Sequence, residues 1–311
     1  MGTLGKAVCP GAATGLDGRH TLRRGEGAAA YLLLVPILVL FCLSVVYPLA
    51  ETLRLSLFDI RGMGVPRFVG WGNYVNLFSD DSFRRSIWTT LIWSVSTTGL
   101  SVSAGWLLAM LCSFAPTATA IPRAMIFAAY GMAETVTGFA WSGIYRADDA
   151  GLLNALLAKV GLANWAHAWL GDPSTALGAV AVAYAWAQTG LPLMLCFAAA
   201  QAIPKSILEA AYMDGAGPFA VMRHIIMPLS LPGVRVAIFM NLLSSLRAFD
   251  TIYVMTGGGP VRATETVGYF MFRESMNQFK LGYGAAATVV LLAAVCFVSV
   301  PAIIQRTAGA K

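Results

Sequence analysis

Three ionisable residues stand inside otherwise apolar runs of this sequence: Glu134, Arg247 and Asp250. A charge at the centre of a membrane-spanning helix costs about 2.5 to 3.5 kcal/mol or more, so such residues serve a partner, a substrate or a path. Arg247 and Asp250 are three apart on one expected helix, and a salt bridge between them is as good a reading as contact with a substrate. Asn241, Ser244, Ser245 and Ala248 share a helix face at spacings of three and four, as a cavity lining does. Asn and Ser in that pattern equally hold neighbouring membrane helices together. No glycine-rich nucleotide loop, G-x-S-x-G or H-E-x-x-H occurs, so the chain carries no signature for hydrolysing ATP itself.

The elements that must position these residues are membrane helices. Of the 311 residues, 58% are hydrophobic and 12% charged, where an ordinary soluble domain has about a quarter charged. The net charge of +6 is scattered between apolar spans and forms no stripe interleaved with aromatics, which argues against nucleic acid. Apolar runs long enough to cross a bilayer are read at 28–50, 87–112, 121–145, 176–201, 234–255 and 284–305, giving six spans. Residues 1–27, rich in Gly and Ala with Arg19, Arg23 and Arg24, read as a polar tail, and 28–311 as one permease-like domain. The first run exceeds the roughly 7 to 15 residues of a signal-peptide core, so it is read as a retained span. Asp80-Asp81-Ser82 is placed to cap the second span. Cys42, Cys112, Cys196 and Cys296 fall in or at the ends of spans and Cys9 in the tail, without metal spacing; neither disulfide nor metal is expected.

The largest polar interruption, 202–233, reads as helix, turn, helix. Pro204 suits a helix start, Gly215 stops that helix, and Gly217-Pro218 opens a second one that Pro228 and Pro232 end. Leu208, Ala211 and Tyr212 share one face of the first helix, and Phe219, Met222 and Ile226 one face of the second. Ala210 and Ala211 add little bulk, so the first helix can lie close in another protein's groove with Glu209 and Asp214 at the rim.

Glu209-Ala210-Ala211, then Asp214-Gly215-Ala216, then a hydrophobic stretch ending Ile226-Met227-Pro228-Leu229, resembles the EAA loop of permease subunits in ATP-binding-cassette importers. Phe68-Val69-Gly70-Trp71-Gly72-Asn73-Tyr74 narrows the resemblance to the sugar-importer permeases related to the maltose and glycerol-phosphate systems. So does Ala248-Phe249-Asp250-Thr251-Ile252-Tyr253-Val254-Met255-Thr256-Gly257-Gly258-Gly259-Pro260, with Ala263-Thr264-Glu265 after it. The resemblance covers the chain from about Tyr31 onward.

It implies an all-α membrane protein of six transmembrane helices, the type I importer permease (MetI-like) fold with a cytoplasmic coupling helix. It implies a sugar importer in which this chain forms half of the translocation pathway. The expected partners are a second, distinct permease subunit, a cytosolic ATPase dimer that binds the ATP and magnesium, and an external substrate-binding protein. ATPase coupling would fall on Glu209, Ala210, Ala211, Asp214, Gly215, Ala216 and Phe219. Sugar contacts carried over by position fall on Gln188, Thr189, Gly190 and Leu193 before the loop, and on Asn241, Ser244, Ser245 and Ala248 after it. Gly190-Leu191-Pro192 would disrupt the helix locally and free backbone groups. Asp250, inside the family-like motif, leans structural. Glu134 follows Gly131-Met132-Ala133 where relatives would more often show an apolar or Pro-containing stretch, which makes it either a substrate contact or the partner of a charge on the second permease.

With six spans both termini share a side. Short-loop Lys and Arg number ten on each side and decide nothing, so the basic cluster before the first span and the resemblance place the termini and the 202–233 loop in the cytoplasm of a bacterial inner membrane. A phosphorylated polyol such as glycerol 3-phosphate is the alternative substrate, with Arg247 the span-internal cation that would serve it. A stand-alone secondary transporter would need inverted repeats and relay carboxylates, which are not evident. A membrane-embedded enzyme would need a His or paired-carboxylate cluster in a span, and none occurs.

Overall fold

The structure, a computed structural model, describes residues 24–148 and 151–308. Cys9 and most of the expected tail lie outside the described residues. The chain divides into two units, residues 1–51 and 52–311.

In the first unit, α1 (Arg24–Phe41) passes through a π-helical turn at Cys42–Val46 into α2 (Tyr47–Leu55), whose end belongs to the second unit. Leu33–Leu55 is a helical stretch of 23 residues, apolar up to Ala50, long enough to cross a bilayer, and the side chains of its Leu, Val and Ile residues up to Leu49 are exposed. Lipid satisfies such a surface, and the helix satisfies its own backbone.

The second unit opens with a two-stranded antiparallel pair, β1 (Phe58–Asp59) on β2 (Arg67–Phe68), in register Phe58 to Phe68. This small sheet is an addition to an otherwise helical fold, and Asn73 fastens it by donating to the carbonyls of Ser56 (2.8 Å) and Phe58 (2.9 Å). Asn73 lies on α3 (Gly72–Ser79), within the Phe68–Tyr74 motif. The long helix α4 (Asp81–Ser113) follows, capped by Asp80, whose carboxylate accepts from the N–H of Ser82 at 2.8 Å, as the Asp-Asp-Ser pattern suggested.

After α4 come α5 (Ala120–Tyr130), α6 (Glu134–Ile144), the outer helix α7 (Leu152–Lys159), α8 (Ala176–Gln188) and α9 (Gly190–Gln201). The loop helices are α10 (Lys205–Met213), α11 (Pro218–Val221) and α12 (Met227–Leu229), with a π turn at Met222–Ile226 between the last two. Then follow α13 (Leu231–Leu246), α14 (Asp250–Met255), α15 (Val267–Phe272) and α16 (Leu281–Ala308).

All six expected spans fall on helix, but the helices are less continuous than the hydropathy. Three cross as single pieces by length and composition: Leu33–Leu55, Asp81–Ser113 and Leu281–Val300. Two more qualify as bent pairs, α8 with α9 at 45° and Pro218–Leu229 with α13 at 53°. Pro228 and Pro232 therefore bend the chain at Ser230 rather than ending the helical course. The expected span 121–145 is two helices of 11 residues, α5 and α6, parted by Gly131, Met132 and an extended Ala133. The expected span 234–255 also breaks, at Arg247–Phe249 between α13 and α14.

Of the two readings left open for Arg247 and Asp250, that break removes the ground for the salt bridge, because the two residues no longer lie on one continuous helix. Among the described residues no ion pair joins them; the guanidinium Nε of Arg247 instead donates to the carbonyl of Leu243 at 3.3 Å.

The helices pack as three apolar clusters. Val102, Met110, Leu193, Cys196 and Ala237 join α4, α9 and α13. Trp93, Val180, Tyr184 and Ile252 join α4, α8 and α14. Leu77, Phe83, Phe270 and Ala286 join α3, α4, α15 and α16. Small residues let backbones approach, as in other membrane bundles. A Cβ added at Gly105 of α4 would lie 2.6 Å from Pro192 Cβ and 2.8 Å from Leu193 N of α9.

Outside the spans, Arg273 sits between two buried carboxylates, Glu265 at 3.0 Å and Glu274 at 2.9 Å, and Lys280 reaches Glu274 at 3.1 Å. Arg262 adds a looser contact to Glu265 at 3.7 Å and reaches Ser82 at the start of α4. This chain of charges ties the loop after α14 to the start of α16. The turn before it uses Gly257 (φ +55°) and Gly258 (φ +76°), and a Cβ at Gly258 would lie 2.6 Å from the Tyr269 ring. Trp165 is exposed, as an interfacial residue would be, whereas Trp169 is partly buried and donates its indole N–H to Asn154 at 2.8 Å.

Candidate functional site

Three helix breaks meet at one cavity of about 280 Å³. The α5–α6 break contributes Tyr130, Met132 and Glu134, and Thr137 lies one turn into α6. The end of α8 contributes Tyr184, Ala187 and Gln188 just before the 45° bend. Ser244 near the end of α13 and Thr251 at the start of α14 close the wall. Each break has a local cause. Gly131 and an extended Ala133 interrupt the first helix, and Pro192 of α9 offers no N–H to the carbonyl of Gln188. Irregular backbone within membrane helices persists where it lines a cavity, because lipid cannot satisfy freed polar groups.

The wall is rich in hydrogen-bonding groups. Gln188 Nε2 stands 3.5 Å from Glu134 Oε1, at the long limit for such a bond. The buried hydroxyl of Tyr184 lies beside Gln188 yet has no partner with hydrogen-bond geometry. Thr137 reaches back to the Ala133 carbonyl at 3.4 Å, a weak bond it can exchange for a better one. Such a set of amide, hydroxyls, carboxylate and two tyrosine rings can hold a polyhydroxylated molecule by hydrogen bonds and by contact with an apolar ring face.

Of the residues expected on the pathway, the structure brings Glu134, Gln188 and Ser244 together at this cavity. It does not bring the others there. Thr189 bonds to the Ala185 carbonyl at 2.6 Å, and Leu193 is fully buried in the α4–α9–α13 cluster. Gly190 packs against α5, where a Cβ would lie 2.9 Å from Phe127 Cα. Asn241 accepts from the Ser101 hydroxyl at 2.8 Å, tying α13 to α4, and the Ser245 carbonyl accepts from Trp93 Nε1 at 3.2 Å. Ala248 is buried in the cluster around Trp93. These are the helix-joining roles that small polar residues fill in membrane bundles.

Tyr130, Thr137, Tyr184 and Thr251 line the cavity without having been expected. Tyr184 is one turn before Gln188 and Thr137 three residues after Glu134, so helical periodicity around either would have found them.

The 202–233 loop is the second feature. Helix α10 ends in a glycine cap: Ala216 N–H bonds to the Ala211 carbonyl and Gly215 N–H to the Tyr212 carbonyl, both at 3.0 Å, with Gly215 at φ +83°. This pair of bonds is the Schellman arrangement that satisfies a helix's last carbonyls. Glu209, Ala210 and Asp214 are exposed, and Ala211 and Ala216 half-buried. Tyr212 and Phe219 present large apolar surface, but so do Ile207 and Met213, which periodicity had not placed on the working face. The expected face of Phe219, Met222 and Ile226 is divided, since Met222 is buried and Phe219 is 72% exposed.

A family model described as binding-protein-dependent transport system inner membrane component matches residues 82–307, which takes in both the cavity and the loop. The chain belongs to that family. Such an inner membrane component is the permease subunit of an importer, and ATP hydrolysis belongs to a partner subunit. A sulfoquinovosyl glycerol transport permease of Agrobacterium fabrum is 31% identical over 91% of this chain and 92% of its own length. An sn-glycerol-3-phosphate transport permease of Yersinia pseudotuberculosis is 32% identical over 84% of this chain and 88% of its own length. The fold matches a chain of a bacterial transporter for the acidic polysaccharide alginate, with a TM-score of 0.74 at 18% identity, covering 88% of this permease and 95% of that chain.

Proposed function

We propose that this permease forms half of the translocation pathway of a sugar importer, with the cavity at the three helix breaks as its share of the substrate site. The observation that carries the reading is the convergence of those breaks on a wall of Tyr, Gln, Glu, Thr and Ser side chains. A second, distinct permease supplies the other half, a cytosolic ATPase dimer supplies energy, and a substrate-binding protein delivers the sugar from outside. The termini and the 202–233 loop lie in the cytoplasm, where Glu209, Ala210, Ala211, Asp214, Gly215, Ala216 and Phe219 engage the ATPases. Closure of the ATPases moves α10 as a rigid lever and switches the cavity between outward and inward access. The exposure of α10 and its glycine cap support this coupling role.

A phosphorylated polyol is the second reading, favoured by the relative named for glycerol 3-phosphate. The test is ATP hydrolysis by the assembled complex in liposomes, with its binding protein, across neutral sugars, amino sugars and polyol phosphates. Stimulation by a sugar supports the first reading, stimulation by a polyol phosphate alone the second, and failure of any ATPase to associate with the chain overturns both.

A further inference from the structure

We propose that the cavity at the helix breaks rejects anionic substrates, and that Glu134 receives the hydroxyl or ammonium hydrogens of a neutral or amino sugar. The inference rests on the importer reading above and names the substrate class of the same site.

Charge is the first ground. Glu134 is the one charged residue among those lining the cavity, and no Lys, Arg or His contributes to its wall. The charged groups whose fields reach Glu134 are Asp250 and Arg247, so two carboxylates face one guanidinium. Arg247 is exposed, outside the lining, and its Nε is held by the Leu243 carbonyl at 3.3 Å. A phosphate, sulfonate or uronate entering here would meet the Glu134 carboxyl in the wall itself, whereas the one cation whose field reaches it, Arg247, stands outside the lining and acts on Asp250 as well, in surroundings less screening than water.

Helix geometry is the second ground. The 11-residue helix α6 begins at Glu134 with its N-terminus at the cavity. Free backbone N–H groups at such an end ordinarily favour an anion. Here the chain has put its own carboxylate in the first turn, which fills the electrostatic role an anionic ligand would take.

The third ground is unspent hydrogen-bonding capacity. Glu134 holds a long 3.5 Å contact from Gln188 and a hydrogen-bonding interaction with the Thr251 hydroxyl, and its two carboxyl oxygens offer up to about four acceptor sites, so part of that capacity is open. The unpartnered Tyr184 hydroxyl lies in the same wall, able to accept from or donate to a sugar hydroxyl. Acceptors in excess match a ligand rich in O–H or N–H donors. A phosphate, which brings acceptors, would leave them unmatched.

The experiment measures uptake by the complete complex, with its binding protein, in proteoliposomes loaded with ATP. The probes are maltose, trehalose, glucosamine, glucose 6-phosphate and glycerol 3-phosphate. Uptake confined to the neutral sugars or glucosamine is expected, with Glu134→Gln lowering it about tenfold or more while the subunits still co-purify, and Glu134→Asp retaining more than Gln. Uptake of either phosphate by the wild-type complex overturns the proposal and leaves the importer reading standing. So does a Glu134→Gln complex that imports the same sugar at the wild-type rate. Uptake of no probe by an assembled complex overturns the sugar-importer reading, and this proposal with it.

Discussion

The N–H of Ala216 reaches back across Gly215 to the carbonyl of Ala211 at 3.0 Å, and the bond forms because Gly215 holds φ +83°. Left-handed backbone costs a residue with a Cβ about 1 to 2 kcal/mol, and a β-branched one more. Nothing lies within 4 Å of a Cβ placed there, so the penalty is conformational and local. Gly215→Val is expected to redirect the chain after α10 and cut uptake at least about tenfold, with the amount of subunit in the membrane unchanged. Membrane immunoblots beside uptake assays check it; wild-type uptake in the variant would refute the role of the cap.

Met213 is 87% exposed beside the glycine cap. A flexible thioether held out in water suits an apolar contact on another protein. Met213→Ser should weaken association with the ATPase subunits several-fold, with membrane levels intact, as read by co-purification from detergent.

Gly190 separates two roles that the chain order alone left together. A Cβ there would press on Phe127 Cα at 2.9 Å and the Ile126 carbonyl at 3.0 Å, both backbone atoms that cannot turn aside. Gly190→Ala is expected to cost about 1 to 3 kcal/mol by overpacking α9 against α5. The yield of assembled complex should fall, while the apparent KM of whatever assembles stays near the wild-type value. A raised KM with full yield would return Gly190 to the substrate pathway.

Arg273 stands 13% exposed between Glu265 and Glu274, whose side chains are 4% and 7% exposed. Removing the shared cation leaves Glu265 with the looser 3.7 Å contact to Arg262 and Glu274 with Lys280 alone, so the loss falls below the about 3 to 5 kcal/mol of a buried ion pair broken from one side. Arg273→Met should lower the unfolding temperature of the purified complex and free the loop after α14 for faster hydrogen exchange. The double variant Glu265→Gln with Arg273→Met should recover part of the loss.

Asn154 holds the outer segment by its whole amide: Nδ2 donates to the carbonyls of His167 (3.1 Å) and Arg146 (3.3 Å), and Oδ1 accepts from Trp169 Nε1 (2.8 Å). Nearby, the Asp172 carboxyl is held below its ordinary range by the N–H and hydroxyl of Ser174, which fixes the entry to α8. Asn154→Leu strands three polar groups at about 1 to 3 kcal/mol each at most. Trypsin should then cut after Lys159 markedly faster than in the wild type.

Much of this protein was determined by local sequence. A chain 58% hydrophobic and 12% charged must span a membrane, because apolar runs of that length have nowhere else to be buried. Asp80 as a cap, Gly215 as a helix stop and the two-helix loop after Ala202 are likewise local, since each depends on residues within a turn or two. Position in the chain, however, could not separate Gln188 from Leu193 or Ser244 from Asn241. Both members of each pair sit on apolar helices of similar composition, and which faces the cavity depends on where α4 lies. That helix packs on Leu193 and Asn241 and leaves Gln188 and Ser244 open. The same is true of the breaks. Hydropathy averages over a window and reads 121–145 and 234–255 as continuous, whereas a helix is interrupted residue by residue, at Ala133 and at Phe249. Only the packed bundle brings those interruptions to one place, and that meeting turns three separate irregularities into one polar cavity.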